Sequence, residues 1–193
     1  MSKHSKKQNN NQVRIIGGTH KRRTITFPDS EGLRPTPDRV RETLFNWLGQ
    51  GLEGKAVLDL YAGSGALGLE ARSRGAEPVV LIEKNRQVAQ VLRANVALLG
   101  WAEQDVRVHV GEAQAYLRAQ GPRFDVVFLD PPFQFDDWES LWPLLPKVLA
   151  EEAYVYIEAG RLPALPDFLT AVRQSSAGQS KQLLSVYSVE AEA

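Results

Sequence analysis

The chain of 193 residues contains no cysteine, and its three histidines, His4, His20 and His109, lie far apart. The lack of cysteine excludes disulfide scaffolds, thiolate zinc sites and cysteine nucleophiles. The histidine spacing matches no pattern of metal ligands, so we expect no metal site. A chain of this length is typical of one compact domain and buries enough surface to fold without cross-links.

Long hydrophobic runs are also missing. The longest apolar stretches, such as the one that ends at Leu129, extend over four to six residues, whereas a membrane-spanning helix needs about 20. The lysine-rich N-terminus lacks the apolar segment of a secretion signal. We therefore expect a soluble, cytoplasmic protein with no membrane partner.

Charge is balanced over the whole chain but unevenly distributed along it. Residues 1–41 carry ten Lys/Arg and three Asp/Glu, a net charge of +7, which leaves −7 on the remaining 152 residues. A basic segment on an acidic body offers a surface to a polyanion without making the whole protein basic. The alternative is a solvated, partly disordered segment.

The N-terminal region divides into a tail and an extension. Residues 1–12 are polar and low in complexity, which predicts a disordered tail. In the extension over 13–53, two β-branched runs, VRIIGG and TITF, flank the basic HKRR sequence and predict a hairpin. Thr36 is placed to cap a helix that begins at Pro37, and apolar spacing predicts a helix over 38–49.

From Gly54 onwards, apolar strands alternate with helical stretches, one of them over 86–99. This alternation predicts a single α/β domain over 54–193 whose mostly parallel sheet is covered by helices on both faces. The predicted strands cover 56–60, 79–82, 106–110, 124–129, 154–158 and 183–189.

The segment LDLYAGSGALGLEA (58–71) contains a strand that ends at Leu60, a tight turn, which we call the glycine loop, and a helix. Its GxGxxG pattern is formed by Gly63, Gly65 and Gly68. Such glycines let a ligand approach backbone N–H groups at a helix start, and Glu83 on the next strand could accept hydrogen bonds from a ribose. The pattern suits a nicotinamide dinucleotide or S-adenosylmethionine. Asp59 favours S-adenosylmethionine, because its carboxylate could bind the cationic amino group of the methionine moiety but would repel a pyrophosphate.

Each of these residues also has a purely structural explanation: the glycines could serve packing, Asp59 could cap the turn, and Glu83 could be a surface acid. Glu112 and Ala113 follow the strand over 106–110, and Glu112 could accept a hydrogen bond from an adenine amino group. Because helix N-termini favour acidic residues in any case, Glu112 could equally be a helix-start acid.

The strand over 124–129 runs directly into the target-base loop, which consists of Asp130, Pro131, Pro132 and Phe133. Two prolines enforce a rigid, extended turn and leave backbone carbonyls without helical partners. With the Asp130 carboxylate, these carbonyls suit the two protons of a planar exocyclic amine and stabilise the charge that develops as its nitrogen attacks a sulfonium methyl group. Phe133 offers a ring for base stacking. The alternative is an ordinary strand end.

Four segments, in order and spacing, resemble the bacterial 16S rRNA guanine-N2 methyltransferase family of the RsmD type. They are RIIGGTHKRR, LRPTPDRVRETLFNWL, LDLYAGSGALGLEARSRGA and FDVVFLDPPF. The resemblance covers about residues 13–190. One departure is Glu112, where the family usually has aspartate.

This resemblance implies a Rossmann-like class I methyltransferase domain with a seven-stranded sheet, its last strand antiparallel. It implies S-adenosylmethionine as cofactor, S-adenosylhomocysteine as product, and methylation of the amino group of one guanine in the small ribosomal subunit or its assembly intermediate. We expect a monomer. The expected cofactor residues are Asp59, Gly63, Ser64, Gly65, Glu83, Glu112 and Ala113, and the target-base loop is expected to be catalytic. The expected RNA contacts are Arg14, Lys21, Arg22, Arg23, Arg34, Arg39 and Arg41, of which the last three match the family's segment near the active-site mouth.

Other functions compete with this one. An amino-methyltransferase that acts on DNA adenine or another RNA has the same loop, although the chain has no room for the separate target-recognition domain of the DNA enzymes. A methyltransferase of protein or small-molecule amines leaves the basic extension unused. A nicotinamide-dependent reductase leaves Asp59 and the target-base loop unexplained, and a non-catalytic RNA-binding protein would bind no S-adenosylmethionine.

Overall fold

The computed structural model describes residues 11–30, 32–119 and 121–188. Within them, the strands are β1 (Asn11–Arg14), β2 (Thr24–Phe27), β3 (Val57–Asp59), β4 (Val79–Glu83), β5 (Val106–Val110), β6 (Phe124–Leu129), β7 (Leu149–Ala159), β8 (Leu169–Ala177) and β9 (Ser180–Tyr187). The helices are α1 (Asp38–Trp47), α2 (Ala66–Ser73), α3 (Arg86–Leu98), α4 (Ala113–Arg118), α5 (Trp138–Leu141) and a 3-10 helix over Trp142–Lys147. Across these residues, no helix has the length and apolar character that a bilayer crossing requires.

Seven strands form one sheet in the order β5-β4-β3-β6-β7-β9-β8. The pairs from β5 to β7 are parallel, and β9 is antiparallel to both of its neighbours. The prediction of an α/β fold with a mostly parallel seven-stranded sheet and an antiparallel last strand is confirmed. Because β3, β4, β6 and β7 point the same way, their carboxyl ends meet at one edge of the sheet, where open α/β folds bind ligands.

The central strands are apolar runs because helices cover both of their faces. One core cluster lies on the face covered by α1, α2, α3 and the hairpin, and the other lies on the face covered by α4, α5 and the 3-10 helix. β8 was not predicted from the residues. Only Leu169, its first residue, is buried, so this edge strand has no apolar run.

β1 and β2 form the predicted antiparallel hairpin, which packs its inner residues, among them Val13 and Ile25, into the first core cluster. The hairpin starts earlier than predicted. Asn11 and Gln12, assigned to the disordered tail, are the first residues of β1 and pair with β2. The rest of the predicted tail, residues 1–10, lies outside the described residues.

Helix α1 begins without the predicted threonine cap. Pro37 occupies the N-cap position, and no side chain caps the helix. The Thr36 hydroxyl instead donates a hydrogen bond to Asp130 Oδ2 at 3.1 Å. Thr36 therefore connects the extension to the target-base loop.

A buried ion network fixes the extension to helix α2. Glu70, which is fully buried, accepts hydrogen bonds from Arg41 Nη1 at 3.1 Å, Arg74 Nε at 2.9 Å and the Ile16 N–H at 2.9 Å. Arg41 is 1% exposed and also pairs with Asp38 at 2.5 Å. The prediction of Arg41 as an RNA contact is therefore wrong, because its guanidinium is enclosed and paired within the protein.

Candidate active site

A pocket of about 1080 Å³ opens at the carboxyl ends of the parallel strands. It brings together two groups of residues that are distant in sequence. Of the predicted cofactor residues, those that line it are Asp59, Gly63, Ser64, Glu83, Glu112 and Ala113. The whole target-base loop lines it too, as do Thr36 and Arg34.

Gly65 is the predicted cofactor residue that does not line the pocket. It lies at the N-cap of α2 with φ of 82°, a left-handed conformation that favours glycine. A Cβ atom there would lie 2.7 Å from Leu92 and 2.8 Å from Leu69. Gly65 therefore shapes the turn and lets α2 pack closely.

Asp59 is the last residue of β3, just before the glycine loop, and is 1% exposed. Its Oδ2 accepts a hydrogen bond from the Gly68 N–H at 3.1 Å, whereas its buried Oδ1 has no partner among the described residues. Burial raises the pKa of Asp59 to about 7, against the lowering effect of the hydrogen bond from the Gly68 N–H. A buried acceptor without a donor is costly, and a cationic ligand group would satisfy it.

Glu83 lies at the carboxyl end of β4, next to the glycine loop. Its Oε2 accepts a hydrogen bond from the Gly63 N–H at 3.0 Å, and its Oε1 accepts one from the Asn85 N–H at 2.8 Å. These bonds fix the carboxylate, yet each oxygen can accept another hydrogen bond. Two ribose hydroxyls could therefore bind there.

Asp130 is partly buried in the pocket at the end of β6. Burial and the nearby Glu158 charge raise the pKa of Asp130 well above its usual range, and the hydrogen bond from Thr36 opposes this shift. The Pro132 carbonyl accepts a hydrogen bond from the Phe135 N–H at 2.8 Å. The expectation that the loop carbonyls lack partners is therefore wrong for Pro132.

Phe133 is 63% exposed, an unusual position for a large apolar side chain. Its ring lies directly over Gly160, where a Cβ atom would be only 2.5 Å from the ring. Glycine at position 160 thus makes room for the ring at the pocket mouth, where a base could stack on it.

Glu158 was not among the predicted site residues, although it lies at the end of the predicted strand over 154–158 and lines the pocket with Ser180. Glu158 Oε2 accepts a hydrogen bond from the Tyr156 hydroxyl at 3.0 Å, and Oε1 accepts one from Ser180 Oγ at 2.6 Å. An acidic residue at the end of an apolar strand, close to the strand-end position of Asp130, was the available signal.

The predicted RNA contacts do not form one surface. Arg34 lines the pocket, and Arg39 is exposed on the first turn of α1. Arg14 is exposed but pairs with Asp38 at 3.2 Å. The other three are exposed between β1 and β2, and we call them the basic tip: Lys21, Arg22 and Arg23.

The basic tip lies away from the pocket. Arg23 donates a hydrogen bond to the Leu98 carbonyl at 3.3 Å, and the neighbouring Thr19 N–H donates one to Ser73 at 2.7 Å. Leu98 and Ser73 are the last residues of α3 and α2, whereas both helices begin beside the pocket. The length of α3, about 18 Å at 1.5 Å per residue, separates the two regions.

Comparison with known proteins agrees with this architecture. The family described as conserved hypothetical protein 95 matches residues 13–186. Ribosomal RNA small subunit methyltransferase D of Escherichia coli is 45% identical over 173 residues, which are 87% of this chain and 86% of that protein. The protein of the same name from Haemophilus influenzae is 39% identical over 86% of this chain and 90% of its own length.

Solved structures give the same result. The structure named "Putative methyltransferase yhhF", from Escherichia coli, superposes with a TM-score of 0.83 at 41% identity, and the match covers 93% of this chain and all of that one. With the family match over most of its length, the chain belongs to the ribosomal RNA small subunit methyltransferase D family.

Proposed function

We propose that this protein transfers the methyl group of S-adenosylmethionine to the exocyclic N2 of a guanine in 16S rRNA of the small ribosomal subunit. Its relatives are named as rRNA methyltransferases of that subunit. The observation that carries the proposal is the single pocket that contains both the unpartnered Asp59 oxygen and the target-base loop.

The residues of the glycine-loop side fit S-adenosylmethionine. Asp59 Oδ1 would accept a hydrogen bond from the amino group of the methionine moiety, and Glu83 would accept those of the ribose hydroxyls. Glu112, exposed at the start of α4, would bind the adenine amino group. When bound, S-adenosylmethionine supplies an electrophilic methyl group on a sulfonium and leaves as S-adenosylhomocysteine.

The residues of the target-base loop act on the amine. The Asp130 carboxylate and the Pro131 carbonyl accept hydrogen bonds from its two protons, which directs the nitrogen lone pair toward the methyl group. Asp130 stabilises the positive charge that the nitrogen acquires and is placed to receive the proton that it releases. Phe133 stacks on the base, which must lie in a loop or be extruded from a helix.

The basic residues hold the RNA backbone. Arg34 and Arg39 lie at or near the pocket mouth, and the basic tip contacts phosphates farther away. Phosphate contacts position an RNA without selecting its sequence. The shape of the folded rRNA must therefore contribute to the choice of guanine.

Labelled methyl transfer to undermethylated small subunits, followed by nucleoside analysis, tests the proposal. We expect N2-methylguanosine. Asp130→Ala should abolish transfer but retain S-adenosylhomocysteine binding, while Asp167→Asn, at an exposed aspartate outside the pocket, should leave both unchanged. Formation of N6-methyladenosine, or normal turnover by Asp130→Ala, would contradict the proposal.

A further inference from the structure

Two carboxyl groups lie side by side on the target-base side of the pocket. Leu129 on β6 pairs in register with Ile157 on β7, so the residues that follow them, Asp130 and Glu158, are neighbours across the two strands. Both line the pocket, and Glu158 is 9% exposed. Among the described residues, neither one forms an ion pair with a lysine or arginine.

The internal contacts of Glu158 orient its carboxylate without neutralising it. The hydroxyls of Tyr156 and Ser180 donate one hydrogen bond to each oxygen, at 3.0 and 2.6 Å. Ser180 Oγ in turn accepts one from Gln182 Nε2 at 2.9 Å. Both donors are neutral, and each carboxylate oxygen retains capacity for another donor.

Two adjacent buried carboxylates repel each other unless a proton, a cation or hydrogen-bond donors compensate their charge. Within the described residues, no group of three His, Cys, Asp or Glu side chains could hold a metal ion. Proton uptake by Asp130 relieves this repulsion in the ligand-free protein, as its raised pKa indicates. A ligand that presents two neighbouring hydrogen-bond donors would instead satisfy both groups as carboxylates.

We propose that Glu158 is a specificity-determining residue, which accepts a hydrogen bond from N1–H of the target guanine while Asp130 accepts one from its 2-amino group. This inference rests on the proposed function. Guanine carries these two donors next to each other on its Watson–Crick edge. Adenine carries its amino group next to the N1 lone pair, which the Glu158 carboxylate repels. Glu158 thereby selects guanine over adenine.

A substrate with an altered Watson–Crick edge probes this contact when wild-type and variant proteins are compared. 2-Aminopurine retains the 2-amino group of guanine but has a lone pair at N1 in place of N1–H and a hydrogen at C6 in place of the carbonyl oxygen. Small-subunit rRNA would be ligated around a synthetic segment that carries guanosine or 2-aminopurine riboside at the methylated position, and kcat/KM would be measured for both. Loss of a hydrogen bond to a charged group predicts that the wild-type protein prefers guanine by about 10- to 100-fold.

Glu158→Gln should reduce this preference to within about threefold, because the amide can donate a hydrogen bond to the N1 lone pair. Glu151→Gln makes the same change at an exposed position of β7 and should keep the wild-type ratio. A merely structural role of Glu158 would lower both rates equally and leave the ratio unchanged.

The outcomes separate the two proposals. If the wild-type protein forms no N2-methylguanosine, the proposed function fails and this inference fails with it. If N2-methylguanosine forms but the wild-type protein methylates both bases equally well, or Glu158→Gln keeps the full preference, only the role of Glu158 is overturned. Equal rates of the wild-type protein on the two bases would overturn the role of Glu158 even if Glu158→Gln does not fold.

Discussion

Replacing Asp59 by asparagine tests the cofactor side of the pocket most directly. One oxygen of this buried carboxyl group has no partner among the described residues, and its pKa is raised. The change is nearly isosteric and removes the charge. A hydrogen bond to a charged group contributes about 1.5–3 kcal/mol. The Kd of S-adenosylhomocysteine, which carries the same amino group as the cofactor, should therefore rise about 10- to 100-fold.

The pH dependence of S-adenosylhomocysteine affinity is a second, independent test of Asp59. The pKa of Asp59 is raised to about 7, so its ionised fraction falls from one half at pH 7 to about one tenth at pH 6. The amino group binds the ionised form, so affinity should fall about fivefold over this interval, or about 1 kcal/mol. Binding at pH 7 should release protons.

The stability of the ligand-free protein should respond in the opposite sense. The pKa of Asp59 is about 7 in the folded protein, against an ordinary value of 3.8. The folded state therefore binds more protons than the unfolded state between these values. The contribution of Asp59 to the free energy of unfolding should fall as pH rises through this window.

Isothermal titration calorimetry with S-adenosylhomocysteine, in buffers of different ionisation enthalpy, measures both affinity and proton release. Asp59→Asn should bind weakly with little change between pH 6 and 7, and the exposed control Asp167→Asn should match the wild-type protein. A wild-type affinity that is constant over this range, or a slope that survives in Asp59→Asn, would refute the reasoning.

Three further predictions concern other parts of the molecule. Gly160→Ala should displace the Phe133 ring and lower kcat/KM for RNA about tenfold by the loss of base stacking, with S-adenosylhomocysteine affinity unchanged. Gly121→Ala, where an added Cβ atom would meet nothing within 4 Å in the described part of the chain, should have no effect, and equal rates of Gly160→Ala and the wild-type protein would contradict the stacking role. Glu70→Gln leaves the buried guanidinium group of Arg74 without a counter-charge and that of Arg41 with Asp38 alone. It should lower the free energy of unfolding by about 3–5 kcal/mol in chemical denaturation, and a loss below about 1 kcal/mol, the range of exposed pairs, would show that the network is not needed. Alanine at all three positions of the basic tip should weaken RNA binding and make the binding constant less dependent on salt concentration. An unchanged salt dependence would show that the tip does not contact RNA phosphates.

The elements that could be predicted from the sequence are those whose local residue pattern has few alternative explanations. Buried parallel strands appear as apolar runs, so the central sheet could be predicted, and a two-proline loop after a strand has few structural explanations. β8 could not be predicted from its residues, because an edge strand needs few buried side chains. Its alternation is weak, with Leu169 alone buried.

Long-range pairing explains the remaining differences. The arginine at position 41 occurs in a basic segment, but its partner Glu70 is 29 residues away, and sequence spacing does not show such a contact. Thr36 precedes a proline as a capping residue would, yet its hydroxyl binds Asp130. Glu158 acquires its place beside Asp130 only through the register of β6 and β7.

The separation between the basic tip and the pocket limits which RNAs can use the whole protein. Because Glu70 ties the extension to α2 through buried hydrogen bonds, the hairpin is held in place relative to the sheet. Under the proposed function, a short oligonucleotide that carries only the target base and its immediate neighbours would occupy the pocket but would not also reach across the length of α3. Only an RNA whose folding places a second stretch of backbone at the far side of the protein would then contact both regions.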